Sequence, residues 1–253
     1  QGLIKNITRF HRGYELRVSH NLDQRYDTIE GYGHGPYYGS VHTIRLRDVP
    51  NQIESLGKFK RNYKAVNLVR HPLALVVSGF GQFRDLFEID INELAWTSNK
   101  LVKTDLAFVY ELVEKYDFLP GKTENLAFLC ACRVLESLKM DVEAEKFFRE
   151  NNEQGGYQFL GHVKMEDLTQ DPSAMKELFE TLALPRPEAD YLDSIYAIGN
   201  LNQHDKKAPK SKLTQKWEDL LDWQKDCFIH FMEKYQLFDF YKNLGYSFDF
   251  MGR

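Results

Sequence analysis

Lys64–Gly81 reads KAVNLVRHPLALVVSGFG, and the whole fold assignment turns on it. Ala65–Val69 is a short run, apolar apart from Asn67, with two valines and neither Gly nor Pro, the pattern of a buried strand. Arg70 falls where that strand ends. Pro72 then occupies the first position of a new element, where a missing N–H costs nothing and a fixed φ suits a helix start. Leu73–Phe80 is apolar nearly all round, which predicts a helix buried on most sides. A strand feeding a helix N-terminus, with an arginine at the junction, is a ready-made phosphate site. Ser78, eight residues beyond Arg70 and about two helical turns in, can offer a hydroxyl to the same anion. The plainer alternative is an ion-paired arginine and a serine bonded back to its own helix.

Upstream, Leu3, Ile4, Ile7 and Phe10 are in helical register from the first residues, and Gln1-Gly2 supplies no capping side chain. The chain is therefore expected to begin inside a helix, Gln1–Arg12. Asn21–Gly39, NLDQRYDTIEGYGHGPYYG, has no clean period and is rich in Gly, Tyr and Asp, so it reads as a shaped loop. Its Tyr26, Tyr32, Tyr37 and Tyr38, with His34, are candidate lining of a binding site or ordinary surface packing. Ser40–Leu46 reads as a short strand or its exit, and Asp48–Tyr63 as containing a short helix.

Downstream, Asp90–Phe118 and Thr123–Glu150 are long helical patterns separated by Pro120-Gly121. The second carries a stripe of Leu126, Leu129, Cys130, Val134 and Leu138. Their charges read as solvated faces, and Cys130 and Cys132 as packing thiols. Tyr157, Phe159, Gly161, Val163 and Met165 alternate as a strand should. Asp171 then reads as an N-cap and Pro172 as the first residue of an amphipathic helix through Met175, Leu178, Phe179 and Leu182. Pro187–Ile198 is a further helix. Gly199–Lys212, GNLNQHDKKAPKSK, is a basic loop holding Lys206, Lys207, Lys210 and Lys212, and Trp217 heads a final helical region running to Leu244-Gly245-Tyr246.

Arg-x-Pro, an apolar run and Ser eight residues after the Arg resemble the 3′-phosphate-binding segment of sulfotransferases that use 3′-phosphoadenosine 5′-phosphosulfate (PAPS). This chain has Leu73 where the family usually has a charged or polar residue. Val163–Pro185, VKMEDLTQDPSAMKELFETLALP, resembles the family's "R-Y-E-D-L…D-P…L…L-G-L-P" segment, with Lys164 and Met165 in place of Arg and Tyr. The basic loop before a Trp-bearing terminal helix resembles the loop that closes over the 3′-phosphate. Val41-His42-Thr43 lies where the family carries its catalytic histidine, with Ser40 and Val41 replacing the usual Lys-Thr.

The resemblance implies a single domain over residues 1–253, α/β and helix-rich, with a central, mostly parallel sheet covered by helices on both faces. It implies PAPS as donor, adenosine 3′,5′-bisphosphate as product, no metal, and a hydroxyl or amine acceptor that is a small molecule, glycan or lipid. Arg70, Ser78, Lys206, Lys207, Lys210 and Lys212 would hold the 3′-phosphate. His42 would be the base, suited to it by a neutral-range pKa, with His34 in reserve. Glu166 would anchor backbone or a basic partner. The family's Gly/Ser loop for the 5′-phosphosulfate, roughly Pro-Arg-Ser-Gly-Thr-Thr after the first strand, has no counterpart in the sequence. Losing that strand would leave buried backbone groups unpaired at about 1–3 kcal/mol each, so the parent protein is expected to carry both.

A net charge of −4 and a pI of about 6.1 argue against a general nucleic-acid binder. Three cysteines make neither a disulfide framework nor a metal set, and with no apolar run of membrane-spanning length the expected compartment is cytoplasmic. With 253 residues, 43% of them hydrophobic, a sizeable core is within reach. Two other classes stay open. A nucleotide kinase-like phosphotransferase would need a Gly-x-x-x-x-Gly-Lys loop and a magnesium-binding acid, neither of which is visible. A non-catalytic nucleotide- or glycan-binding domain would need neither.

Overall fold

The computed structural model describes residues 15–18, 38–41, 63–87, 105–155, 157–182, 189–197 and 212–252. In chain order these form strands β1 (Glu15–Val18), β2 (Tyr38–Val41) and β3 (Tyr63–Val69), then helices α1 (Pro72–Phe87), α2 (Leu106–Tyr116) and α3 (Thr123–Gly155). Strand β4 (Tyr157–Lys164) follows, with α4 (Met165–Gln170), α5 (Pro172–Thr181) and α6 (Ala189–Ala197) behind it. The chain closes with α7 (Leu213–Glu218), α8 (Asp222–Lys234), α9 (Leu237–Asn243) and a 3₁₀ turn at Asp249–Met251. Both described strand pairs, β1–β2 and β3–β4, are parallel, so the chain is helix-rich and of α/β type. No described helix is long and apolar enough to cross a membrane. The expected helices at Gln1–Arg12 and within Asp48–Tyr63 lie outside the described residues.

Two compact units emerge, one from Gln1–Val69 with Glu143–Ala208, the other from Arg70–Val142 with Pro209–Arg253. In the first, the pairing of β3 with β4 slips by one residue: Ala65 faces Phe159, but Asn67 faces His162. Two residues of β4 therefore oppose one of β3, a bulge. Gly161 carries it with φ +110, a conformation only glycine adopts without strain. The slip resets the alternation expected of this strand, which ends at Lys164, and Met165 opens α4 rather than closing the strand.

Asp171 caps α5 as its sequence predicts. Its Oδ1 accepts the Ser173 N–H at 2.8 Å and the Ser173 hydroxyl at 2.7 Å, with Pro172 at the first helical position. The Ser173 hydroxyl and then its N–H hold the Asp171 carboxyl below the usual carboxylate range. Met175 and Phe179 of α5 then bury themselves with Leu168 of α4 and Leu192 of α6, and Val163 of β4 packs against this cluster. The Tyr196 hydroxyl donates to the Leu168 carbonyl at 2.5 Å and ties α6 to α4.

In the second unit, α3 departs from a one-sided stripe. Ala127, Phe128, Leu129, Cys130, Ala131 and Cys132 are all at most 1% exposed, so over these residues, beyond its exposed first turn, the helix is buried on every side. Phe80 of α1 meets Phe128 edge-on at 5.3 Å, and Phe128 meets Trp223 of α8 at 5.4 Å. Helix α2 ends at Tyr116 because Asp117 turns left-handed at φ 51, so Phe118 lies beyond the helix and packs on Trp223. Phe228 of α8 is fully buried and also meets Trp217 of α7. Truncating Phe228 to Ala removes that ring from a close-packed core, and the expected loss is about 3–5 kcal/mol. Denaturant unfolding of the variant should show it as a lower midpoint, and a change below about 1 kcal/mol would contradict the packing described.

Candidate functional site

The start of α1 is built by sterics and then sealed by its neighbours. Pro72 sets φ at the first helical position, and Leu73 and Val76 are fully buried. His71 occupies the N-cap and is itself only 1% exposed. Its Nδ1 accepts the Leu73 N–H at 3.1 Å, and its backbone carbonyl accepts the Leu75 N–H at 3.1 Å. An Nδ1 that accepts from a backbone N–H carries no proton, which puts the hydrogen on Nε2. Nε2 lies 3.2 Å from the Ser247 carbonyl and donates to it. Three rings enclose the imidazole: Tyr246 at 5.5 Å, Phe248 at 5.0 Å and Phe250 at 5.7 Å.

This arrangement changes what the helix start offers an anion. Pro72 has no N–H, and the Leu73 N–H already points at His71. The pull of a bare helix terminus, expected from the sequence, is thereby reduced, and an anion here must rely chiefly on side chains. Arg70, half-buried, immediately precedes the cap, and Ser78 is exposed on the second turn of α1.

Helix α7 packs against α1 and against the turn Asp249–Met251. Lys212 sits at its N-cap position, exposed, and Trp217 near its other end lies 6.0 Å from Phe250, centroid to centroid. Arg70, Ser78 and Lys212 thus belong to one compact unit, Ser78 within α1 and Arg70 and Lys212 just before the starts of two helices in contact. Tyr38 falls in β2. His42, His34, Tyr26, Tyr32, Tyr37, Lys206, Lys207 and Lys210 lie outside the described residues. Glu166 stands in the first turn of α4, where its backbone carbonyl accepts the Thr169 hydroxyl at 3.1 Å.

His71 is the residue that sequence reasoning passed over. The signal was there, since the position before a proline at the first helical place is the N-cap. Histidine is outside the usual capping set, which is why the pattern gave no alarm.

The thiols follow expectation and add one fact. Cys130 is buried, and burial pushes its thiol up to about 11. Cys132 is buried with Cys227, Sγ to Sγ at 3.6 Å, and burial pushes the Cys132 thiol well up. Cys130 and Cys132 stay protonated at neutral pH and act as packing groups.

A second polar cluster joins α2 to α8. Asp105, which precedes α2, pairs with Lys234 and lies 3.9 Å from Nε2 of His230. The His230 ring stacks on Phe108 at 3.7 Å. Burial, with some help from the Lys234 charge, lowers the His230 pKa below the ordinary histidine value despite Asp105 and Glu111. A lowered native value means the unfolded chain takes up the proton first as pH falls. The contribution of His230 is therefore intact above about pH 6.5 and is lost as pH drops through its native pKa. Thermal unfolding between pH 7.5 and 5 should show a falling midpoint, and His230→Gln should flatten that fall; an unchanged slope would contradict the assignment.

No family model, curated protein or solved structure matches this chain.

Proposed function

We propose that the chain is a PAPS-dependent sulfotransferase of P-loop-like fold that moves a sulfuryl group to a hydroxyl or amine acceptor. The observation that carries this reading is the packing of α7 on α1. It brings Lys212, the end of the basic segment, into one unit with Arg70 and Ser78, from opposite halves of the sequence. A ribose 3′-phosphate would be held by a permanent forked cation, a hydroxyl and a mobile ammonium, and these three residues offer those group types. Parallel pairing of β3 with β4 and the entry of β3 into α1 support the same family of sheets.

PAPS, when bound, supplies the electrophilic sulfur and a phosphate leaving group. In this reading Arg70, Ser78 and the lysines between 206 and 212 hold the 3′-phosphate and so fix the donor against the acceptor. His42 takes the acceptor's proton while the acceptor oxygen or nitrogen forms its bond to sulfur. The sulfur–oxygen bond to the 5′-phosphate breaks, and the electron pair leaves with adenosine 3′,5′-bisphosphate. Tyr32, His34, Tyr37 and Tyr38 form the acceptor side. No divalent cation is invoked.

Calorimetric titration with adenosine 3′,5′-bisphosphate against ADP separates this from a kinase-like phosphotransferase. The bisphosphate should bind at least about tenfold more tightly, the scale of one charge-assisted contact, and Arg70→Ala should erase the difference. Equal affinity for the two nucleotides argues against a sulfotransferase. Transfer from radiolabelled donor across a panel of phenols, sugars and lipid alcohols identifies the acceptor. A His42→Ala protein that transfers as fast as the original removes His42 from the mechanism.

A further inference from the structure

We infer that the C-terminal segment Tyr246–Phe250 positions Arg70 through His71, and so sets the affinity of the 3′-phosphate site. The inference rests on the functional reading above, and it assigns a control element that the phosphate contacts alone do not contain.

One buried ring makes the link. His71 caps α1 through Nδ1 and holds the Ser247 carbonyl through Nε2, with Tyr246, Phe248 and Phe250 around it. Consecutive Cα atoms are about 3.8 Å apart, so a residue fixed at ring and backbone leaves its neighbour's Cα little freedom. That neighbour is Arg70. The segment is itself stiff enough to act as an anchor. The Ser247 hydroxyl donates to the Asp249 carboxylate at 2.7 Å and accepts the Asp249 N–H at 3.1 Å, while the Tyr246 N–H donates to the Tyr241 carbonyl at 3.0 Å. Phe248 is 1% exposed and meets Phe238 edge-on at 5.1 Å.

The same segment reaches the other side of the site. Phe250 contacts Trp217, and α7 packs on the turn Asp249–Met251 as well as on α1. His71, the neighbour of Arg70, and α7, which Lys212 precedes, therefore both contact the same few residues. His71 is a positioning residue, since it reaches any ligand only through Arg70.

Two substitutions divide the roles of the ring. His71→Asn keeps an acceptor for the Leu73 N–H but is too short to hold Ser247. His71→Phe keeps a ring and loses both nitrogens. Binding of adenosine 3′,5′-bisphosphate by calorimetry should weaken about tenfold in each variant, with adenosine 5′-monophosphate unaffected. In an Arg70→Ala background, His71→Phe should add no further loss, because there is no guanidinium left to position. An unweakened His71→Asn protein, or an equal loss with and without Arg70, overturns the inference. If the unaltered chain does not distinguish bisphosphate from monophosphate, the functional reading fails, and with it the affinity half of the inference. The bridge itself is then judged without ligand, by amide hydrogen exchange. His71→Asn should raise exchange across Tyr246–Phe250 and spare Leu73, and unchanged exchange in that segment overturns the bridge.

Discussion

A buried imidazole with both nitrogens engaged is the constraint on which the second unit depends. Each nitrogen of His71 would cost roughly 1–3 kcal/mol if left without a partner at this depth. The Leu73 N–H and the Ser247 carbonyl meet that demand and select the Nε2–H tautomer between them. The contact spans 176 positions of sequence. The start of α1 thus reaches its final form only once Ser247 is in place, a non-local closure of the kind that slows folding. Helix propensity alone would not complete this helix. Its cap residue is covered by the aromatic segment Tyr246–Phe250.

The aromatic packing around that link is continuous. Phe250 touches both His71 and Trp217, Trp217 touches Phe228, and Phe228 lies in the buried face of α8 with Trp223, Cys227 and Phe231. Cross-helix polar ties then fix α2 on the same helix. Asp226 accepts from Tyr116 at 2.6 Å and from Lys115 at 2.7 Å, and Asp105 takes Lys234. The Lys115 pair is mostly exposed, so its worth lies in orienting the two helices more than in stability. Burial of the aromatic rings is what stabilises the unit.

What was legible in the sequence was what local sterics dictate. Pro72 at a helix start, Asp171-Pro172 at another, and the apolar strand before Arg70 all follow from backbone geometry within a few residues. The strand at Tyr157 was legible as well, but its bulge was not. A glycine in an alternating run fits regular strand as well as φ +110, and only the partner strand decides between them. The all-round burial of Ala127–Cys132 was hidden for the same reason, since periodicity reports one face and neighbours supply the others. The cap position of His71 was legible, but its second partner, the Ser247 carbonyl, is backbone and leaves no signature in sequence. Of the candidate site, Arg70, Ser78 and Lys212 can be placed, Tyr38 only by its strand. The histidine at 42 and most of the basic loop fall outside the described residues.

The sealed start of α1 also constrains how any anion can be held there. In a glycine-rich phosphate loop, backbone N–H groups do the binding and side chains assist. Here one of the terminal N–H groups is absent at Pro72 and another is committed to His71, while Leu73 and Ala74 are buried. Recognition in the proposed function therefore passes to the Arg70 guanidinium, with Ser78 and the basic segment beside it. A planar fork that grips two oxygens of one phosphate differs from a point charge, so Lys at position 70 would keep the charge and lose the geometry. A site built this way depends on where the arginine stem is anchored more than on the helix behind it, which makes the cap residue next to it the natural place for control.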